Sequence, residues 1–319
     1  MFLSENISKI ISKVFLFFAF FLILGSIFFL SKLPVSSDQT NNLQAGISSP
    51  IQDSLSYDLQ PEKIIIQDKE DDFQISAKSA ISVEVGSNTI KNILFKKNEK
   101  ERLPVASLLK IMTALVILEK YDLNQDIVIS DLAMKEEGEQ GVLKAGQVLS
   151  VENLLYIMLI ESSNRAAFAL SEVVGNSNFI NLMNEESERL GLANTHFSDV
   201  TGLSGESYST AEDISILSDY IFSNYPLFAK IINLKEYDLY LKDGTLHHKL
   251  ENTNELLGKS GIIGGKTGYT INAKGCFMTI QKKSESNYTI NIVLGSDNRF
   301  LDMESLVNFL DNKYLTVFN

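Results

Sequence analysis

The period of apolar and polar positions changes several times along the chain. Val14 to Leu30 reads VFLFFAFFLILGSIFFL, 17 residues without a charge, bracketed by Lys13 and Lys32. That length is the lower end of what spans a bilayer and exceeds the usual core of a cleaved signal peptide. No A-x-A-like cleavage site follows it, and Lys9 and Lys13 precede it. The run predicts an uncleaved signal-anchor over 1–33, with a cytoplasmic N-terminus and an exported remainder; a cleaved signal peptide is the rival reading. Segment 34–74 is rich in Ser, Gln, Asn and Asp and shows no sustained period beyond Ile64-Ile65-Ile66, so it reads as a polar, flexible linker. Residues 75–319 are numerous enough for a well-buried core.

That last segment opens on strands. Ile81, Val83 and Val85 alternate with polar residues, Gly86-Ser87-Asn88 reads as a turn, and Ile90, Ile93 and Phe95 follow, which predicts a β-hairpin. The period then lengthens. Ser107 to Tyr121 is apolar on nearly all sides and lacks Gly and Pro, the signature of a buried helix. Further helices fit Val151–Ile160, Arg165–Val174, Phe179–Leu190 and Ala211–Phe222, the last with a capping box Thr210-x-x-Asp213 in which Asp replaces Glu. Strands return at Tyr237–Leu241, Gly275–Gln281 and Tyr288–Leu294, and an amphipathic helix closes the pattern at Leu301–Tyr314. Strands at both ends with helices between predict an α+β fold: an antiparallel sheet joining the N- and C-terminal parts, with an inserted helical portion.

Composition removes several functions. With 28 Lys+Arg against 40 Asp+Glu the formal charge is −12, and no basic run offsets it, so nucleic acid is not an expected partner. One Cys excludes an internal disulfide and a Cys-based zinc site, and three His leave little for a His-rich one.

Three short motifs carry candidate chemistry. Ser107-x-x-Lys110 opens the central buried helix, where residues three apart share a face with Cβ atoms about 5–6 Å apart. A serine needs an adjacent base to become a nucleophile, and a lysine can be that base only when desolvation or a nearby positive charge lowers its pKa. On its own the pair is more often a capping Ser and a snorkelling Lys. Ser162-Ser163-Asn164 is a polar break between two apolar helices; alone it is a turn, but it offers the Ser162 hydroxyl as a proton shuttle and the Asn164 amide as a substrate contact. Gly264-Gly265-Lys266-Thr267-Gly268 precedes the C-terminal strand pair. It is not a phosphate loop, since position 260 is Ser and strand signals follow. On an edge strand it would supply a positive charge, a hydroxyl, and a Gly that admits close backbone approach.

Taken together and in this order, the motifs are those of active-site serine penicillin-binding proteins and class A β-lactamases. The chain resembles the low-molecular-mass penicillin-binding proteins, the serine D-alanyl-D-alanine carboxypeptidases, from about Ile75 to Leu310. Val105-Ala106-Ser107-Leu108-Leu109-Lys110 matches the family's nucleophile segment. Thr195-His196-Phe197-Ser198-Asp199-Val200-Thr201-Gly202-Leu203, then Tyr208-Ser209-Thr210-Ala211-x-Asp213, is a long family signature. Asn252-x-Asn254-x-Leu256-Leu257 leading into Gly265-Lys266-Thr267-Gly268-Tyr269-Thr270 is another.

The resemblance implies the β-lactamase/transpeptidase-like version of the α+β fold, with helices on both faces of the sheet. It implies that Ser107 attacks the carbonyl between the last two D-alanines of a peptidoglycan stem peptide and that Lys110 takes its proton. Ser162 and Lys266 would relay a proton to the leaving D-alanine, while Asn164 holds the substrate amide. The backbone N–H groups of Ser107 and Tyr269 would form the oxyanion site beside Gly268, and Thr267 and Arg299 would bind the terminal carboxylate. β-Lactams would trap the same Ser107, and no metal or organic cofactor is implied. The membrane is engaged only through the N-terminal helix, which places a single-pass protein in the cell membrane with its catalytic domain outside the cytoplasm.

His196, His247 and His248 then become structural or surface groups, and Cys276 a buried small hydrophobe. Arg165 stands where members of that family often carry Asp, which is expected to alter the local ion pairing or substrate preference, and Ser204 stands where many carry Asp, so one bracing contact is expected to be missing. A class A β-lactamase would need a glutamate in an E-x-x-L-N-like segment, and none lies between Asn164 and Lys266. Cross-link-cleaving D,D-endopeptidase chemistry uses the same site. A catalytically silent, tethered wall-binding protein would be expected to have lost the Ser, Lys or Asn that this chain retains.

Overall fold

A computed structural model describes residues 73–86, 91–138 and 140–315; the expected signal-anchor 1–33, the linker up to residue 72, and Ser87 and Asn88 of the expected turn lie outside the described residues. Strands β1 (Ser79–Val85) and β2 (Lys91–Lys97) come from the N-terminal side, and β7 (Ile262–Thr270), β8 (Lys274–Lys282) and β9 (Tyr288–Ser296) from the C-terminal side. They form one five-stranded antiparallel sheet in the order β2-β1-β9-β8-β7. Both expectations hold: the sheet joins the two ends of the chain, and residues 98–261 are inserted between them.

The alternation of side chains explains the layering. Ala80, Val293 and Phe277 lie in one row across β1, β9 and β8, and they pack with Met303, Leu306, Val307 and Leu310 of α7 (Arg299–Leu315). Ile81, Ile292 and Met278 form the adjacent row on the opposite face, inside the larger core of the helical insertion. Helices therefore cover both faces of the sheet. The register places Lys266 of β7 beside Met278, in this second row, which carries a lysine into the larger core.

The insertion is built around α1 (Lys110–Lys120), of which every residue from Lys110 to Ile117 is buried. It is followed by α2 (Val151–Ile160), α3 (Asn164–Ser171), α4 (Asn176–Arg189), α5 (Ala211–Asn224) and α6 (Pro226–Ile232). Ser150 caps α2 by accepting from Asn153 N–H at 3.1 Å, and Thr210 caps α5 by accepting from Asp213 N–H at 3.0 Å. The Asp213 carboxylate does not complete the reciprocal half of the box. It accepts instead from Asn194 N–H and Thr195 Oγ1, each at 2.8 Å, and so ties the preceding loop to the helix start.

Four elements are absent from the sequence reading. The pair β3 (Asp126–Val128) and β4 (Val148–Ser150) is three residues per strand, too short to show alternation. Helix α6 starts at Pro226, with only Tyr225 between it and the end of α5, and the proline serves as its first residue. Strand β6 (Leu246–Glu251), which pairs with β5 (Glu236–Tyr240), buries only Leu250 and so reads as polar.

Candidate active site

The nucleophile segment differs from the continuous helix expected. Ala106–Leu109 is a turn of 3-10 helix, and the α-helix begins at Lys110. In a 3-10 turn residues three apart eclipse one another, so Lys110 stands directly over Ser107, with Nζ 2.9 Å from Oγ. Ala106 adopts φ +47°, a left-handed conformation rare for a residue with a side chain. The loop opposite accommodates it through Gly202, itself at φ +86°, where a Cβ would lie 2.0 Å from the Ala106 carbonyl oxygen.

Lys110 has no exposed surface. Its Nζ also donates to Asn164 Oδ1 and to the Thr201 carbonyl, each at 2.6 Å. Burial lowers its pKa from 10.5 to about 7, against the opposing pull of Asp199 and Glu136. The Asn164 amide is oriented by its other end, Nδ2 donating to the Glu137 carbonyl at 2.8 Å. A neutral amine has two N–H groups and one lone pair. Asn164 Oδ1 and the Thr201 carbonyl can only accept, so they take both hydrogens and leave the lone pair facing the Ser107 hydroxyl.

The second motif is a sharp turn between α2 and α3. Ser162 sits at φ +64°, which swings its Oγ to 2.7 Å from Lys266 Nζ. Three consecutive side chains then hold backbone carbonyls of the segment before β4: Ser163 Oγ donates to that of Gln140 at 2.7 Å, Asn164 Nδ2 to that of Glu137, and Arg165 Nε to that of Glu136 at 3.3 Å. Arg165 thus holds backbone. Among the described residues the Glu136 carboxylate has no hydrogen bond; burial and neighbouring Asp199 raise its pKa, opposed by Lys110.

The third motif lies on β7 at the edge of the sheet. Lys266 is 1% exposed, and burial, then Lys110, then Arg299 hold its amine well below the ordinary lysine value. Thr267 Oγ1 is 2.7 Å from Thr253 Oγ1. A Cβ on Gly268 would lie 2.9 Å from the Ser107 backbone nitrogen, so the strand and the nucleophile turn touch through backbone. Tyr269 stands at the mouth, 62% exposed. Arg299 lies against Gly275, which pairs with Tyr269; its Nε is buried without a partner among the described residues, and its guanidinium stacks 4.7 Å from the Phe300 ring centre.

Ser107, Lys110, Ser162, Asn164 and Lys266 are therefore brought together, with Thr267, Gly268 and Tyr269 along one wall and Arg299 behind it. The sequence reading assigned no role to Asp199, Thr201 or Thr253. Asp199 Oδ2 accepts from the backbone N–H groups of Thr201, Gly202, Leu203 and Ser204 and from Thr201 Oγ1, while Oδ1 accepts from Ser207 Oγ. The loop is thereby braced without an acid at 204, where Ser204 Oγ accepts from Ser198 Oγ at 2.8 Å. Cys276 is fully buried and its thiol is pushed up to about 11 by burial; His247 and His248 pair with each other through Nδ1 at 2.5 Å. Among the described residues no group of three or more His, Cys, Asp or Glu could hold a metal ion.

The model of the D-alanyl-D-alanine carboxypeptidase family matches residues 65–298. The chain is 33% identical over 253 residues to D-alanyl-D-alanine carboxypeptidase DacF of Bacillus subtilis, an alignment covering 75% of this chain and 63% of that protein. It is 29% identical over 235 residues to a D-alanyl-D-alanine endopeptidase of Pseudomonas aeruginosa, covering 70% and 74%. Among solved structures, the Streptomyces K15 DD-transpeptidase superposes with a TM-score of 0.68 at 29% identity, over 75% of this chain and 98% of that one. Penicillin-binding protein D2 from Listeria monocytogenes, in its ampicillin-bound form, superposes at 0.65 with 29% identity, over 74% and 98%.

Proposed function

The chain belongs to the D-alanyl-D-alanine carboxypeptidase family, and on that premise we propose that it is a serine-type D-Ala-D-Ala carboxypeptidase. It removes the terminal D-alanine from peptidoglycan stem peptides through a Ser107 acyl-enzyme. The observation that carries this reading is the wiring of Lys110: a fully buried amine whose hydrogens go to two obligate acceptors and whose lone pair meets the Ser107 hydroxyl.

In the first step Lys110 takes the Ser107 proton as Oγ attacks the carbonyl between the two D-alanines. The oxyanion forms between the Ser107 and Tyr269 N–H groups, an arrangement supported by the close approach of β7 at Gly268. Collapse needs a proton on the departing amine. Ser162 Oγ, bonded to Lys266 Nζ, hands its hydrogen to the departing amine and is reprotonated by relay from Lys110, so the proton taken from Ser107 leaves on D-alanine and Lys110 is neutral again. The hydroxyl of Thr267 and the charge of Arg299 receive the terminal carboxylate, and Asn164 retains one amide hydrogen for the substrate carbonyl after bonding Glu137. Water then hydrolyses the ester and restores Ser107. A β-lactam enters the same first step and remains on Ser107.

The test is labelling of the full-length chain with a fluorescent penicillin, alongside release of D-alanine from a synthetic stem pentapeptide. Label and D-alanine release that both vanish in Ser107→Ala support the reading. A folded wild-type chain that takes no label sinks it and favours a wall-binding protein, whereas a label that forms and rapidly decays favours a β-lactamase. The endopeptidase named among the relatives supports a second reading, cleavage of D-alanyl cross-links by the same site; a cross-linked peptide dimer cut faster than the pentapeptide would favour it. The apolar run Val14–Leu30 between lysines supports a location at the membrane, with this site on the outer side.

A further inference from the structure

Lys110 is embraced from four directions, and one of them carries a full, internally bonded negative charge. From the loop 199–207 come the Thr201 carbonyl, at 2.6 Å, and the charge of Asp199. From the segment before β4 comes Glu136, from the start of α3 the Asn164 amide, and from β7 the buried amine of Lys266, next to Arg299. The two carboxylates are unlike. Glu136 has no donor among the described residues. Asp199 is saturated, with four backbone N–H groups and two hydroxyls, among them the N–H and Oγ1 of Thr201 itself. Thr113 Oγ1, on the same helix as Lys110, donates to the adjacent Val200 carbonyl at 3.1 Å and locks this loop to α1.

We propose that Asp199 is a positioning residue for the base. It fastens the Thr201 carbonyl against Lys110 Nζ, and its charge sets the pH range in which Lys110 can take the Ser107 proton. The inference rests on the reading of Ser107 and Lys110 as nucleophile and base. Burial pushes the Asp199 carboxyl up, but hydrogen bonds from Thr201, Ser207 and the Gly202 N–H outweigh it and hold the group below the ordinary carboxylate value. The charge is therefore present throughout the working range. A fixed negative charge beside an amine favours the ammonium form. It thus works against burial and raises the pH at which the amine becomes a base. The same charge stabilises the ammonium that forms when Ser107 is deprotonated.

Asp199→Asn keeps an oxygen for the four N–H groups and can donate from its amide nitrogen to Ser207 Oγ, so the loop retains its bonding while losing the charge. The acid limb of Ser107 acylation, measured as the second-order rate of penicillin labelling of the full-length chain against pH, is expected near 7 in the wild type. In Asp199→Asn its midpoint is expected to fall by about 0.5 pH unit or more. Glu136→Gln is expected to move it the same way by less. Ser207→Ala removes one hydroxyl bond and leaves the charge, so its midpoint is expected to stay with the wild type. A folded Asp199→Asn chain whose profile superimposes on the wild type overturns the proposal, and so does an equal shift in Ser207→Ala, which would make Asp199 a loop brace alone. Absence of labelling in the wild type sinks the acyl-enzyme reading itself, a different result from an unshifted profile.

Discussion

Gly268 and Ser107 meet backbone to backbone: a first side-chain carbon on Gly268 would stand 2.9 Å from the Ser107 nitrogen, 3.0 Å from the Ala106 Cβ and 3.2 Å from the Val105 carbonyl oxygen. None of these neighbours is the far end of a flexible side chain. Gly268→Ala must therefore displace either β7 or the nucleophile turn. A misplacement of about 1 Å at a reacting group costs on the order of 100-fold in rate, and overpacking of this kind costs about 1–3 kcal/mol of stability. The expected outcome is a folded chain, lower melting, whose penicillin labelling slows by about two orders of magnitude. Wild-type labelling in this variant would show that the contact is not needed to place Ser107.

Lys266 offers a separation of stability from activity. Its amine is buried, is held well below the ordinary lysine value by burial, then Lys110, then Arg299, and bonds the Ser162 hydroxyl and its neighbour's carbonyl, that of Thr267, at 2.9 Å. Removing the amine leaves the Thr267 carbonyl and the Ser162 hydroxyl without this donor, a cost of about 1–3 kcal/mol that relief of the amine's own desolvation opposes, while loss of a proton-transfer group costs about 100- to 10,000-fold. Lys266→Met is expected to melt within a few degrees of the wild type and to release D-alanine at least about 100-fold more slowly. Parallel losses of stability and turnover would instead mark Lys266 as a structural amine.

The residues that these experiments address were not equally legible in the sequence. Ser107, Lys110, Ser162, Asn164 and Lys266 stand in short motifs whose side chains are themselves the reactive groups, so residue identity and spacing carry the information. Asp199 and Thr201 stood in plain view inside a recognised signature, yet Thr201 reaches Lys110 through a carbonyl that any residue possesses. Only the folded loop shows which carbonyl that is. The sheet was legible because Ile81, Val83 and Val85 alternate with polar residues in β1, while β8 and β9 are short runs buried on both faces. The 3-10 turn at Ala106–Leu109 was hidden because its apolar pattern is the same as that of the α-helix it precedes.

A buried base leaves a signature in the pH dependence of stability. Burial lowers the Lys110 pKa from 10.5 to about 7, with Asp199 and Glu136 opposing. Between those values the unfolded chain binds a proton at this position that the folded chain does not, so stability rises with pH across the window; below it both states are protonated and the penalty is constant. Lys110→Met removes this contribution. The variant's stability advantage over the wild type, measured by urea unfolding, is expected to shrink by up to about 1.4 kcal/mol per pH unit from about pH 7.5 to 9.5. An advantage that does not change with pH would mean that the amine is not depressed in the folded state.

Thr253 lies outside all three motifs, but its hydroxyl is 2.7 Å from that of Thr267, which is only 4% exposed. If Thr267 donates its hydrogen to the substrate carboxylate, its oxygen is left to accept, and Thr253 is the donor in place to satisfy it. The two hydroxyls then form a chain polarised towards the carboxylate. Thr253→Val keeps the shape and breaks the chain. One hydrogen bond contributes about 1 kcal/mol, so KM for a peptide ending in a free carboxylate is expected to rise about fivefold, with kcat within about twofold. The same peptide with an amidated C-terminus lacks the charged acceptor and should show no difference between variant and wild type. An equal KM for the free acid in both proteins would remove Thr253 from carboxylate recognition, and an equal loss on the amidated peptide would assign it to general packing of β7.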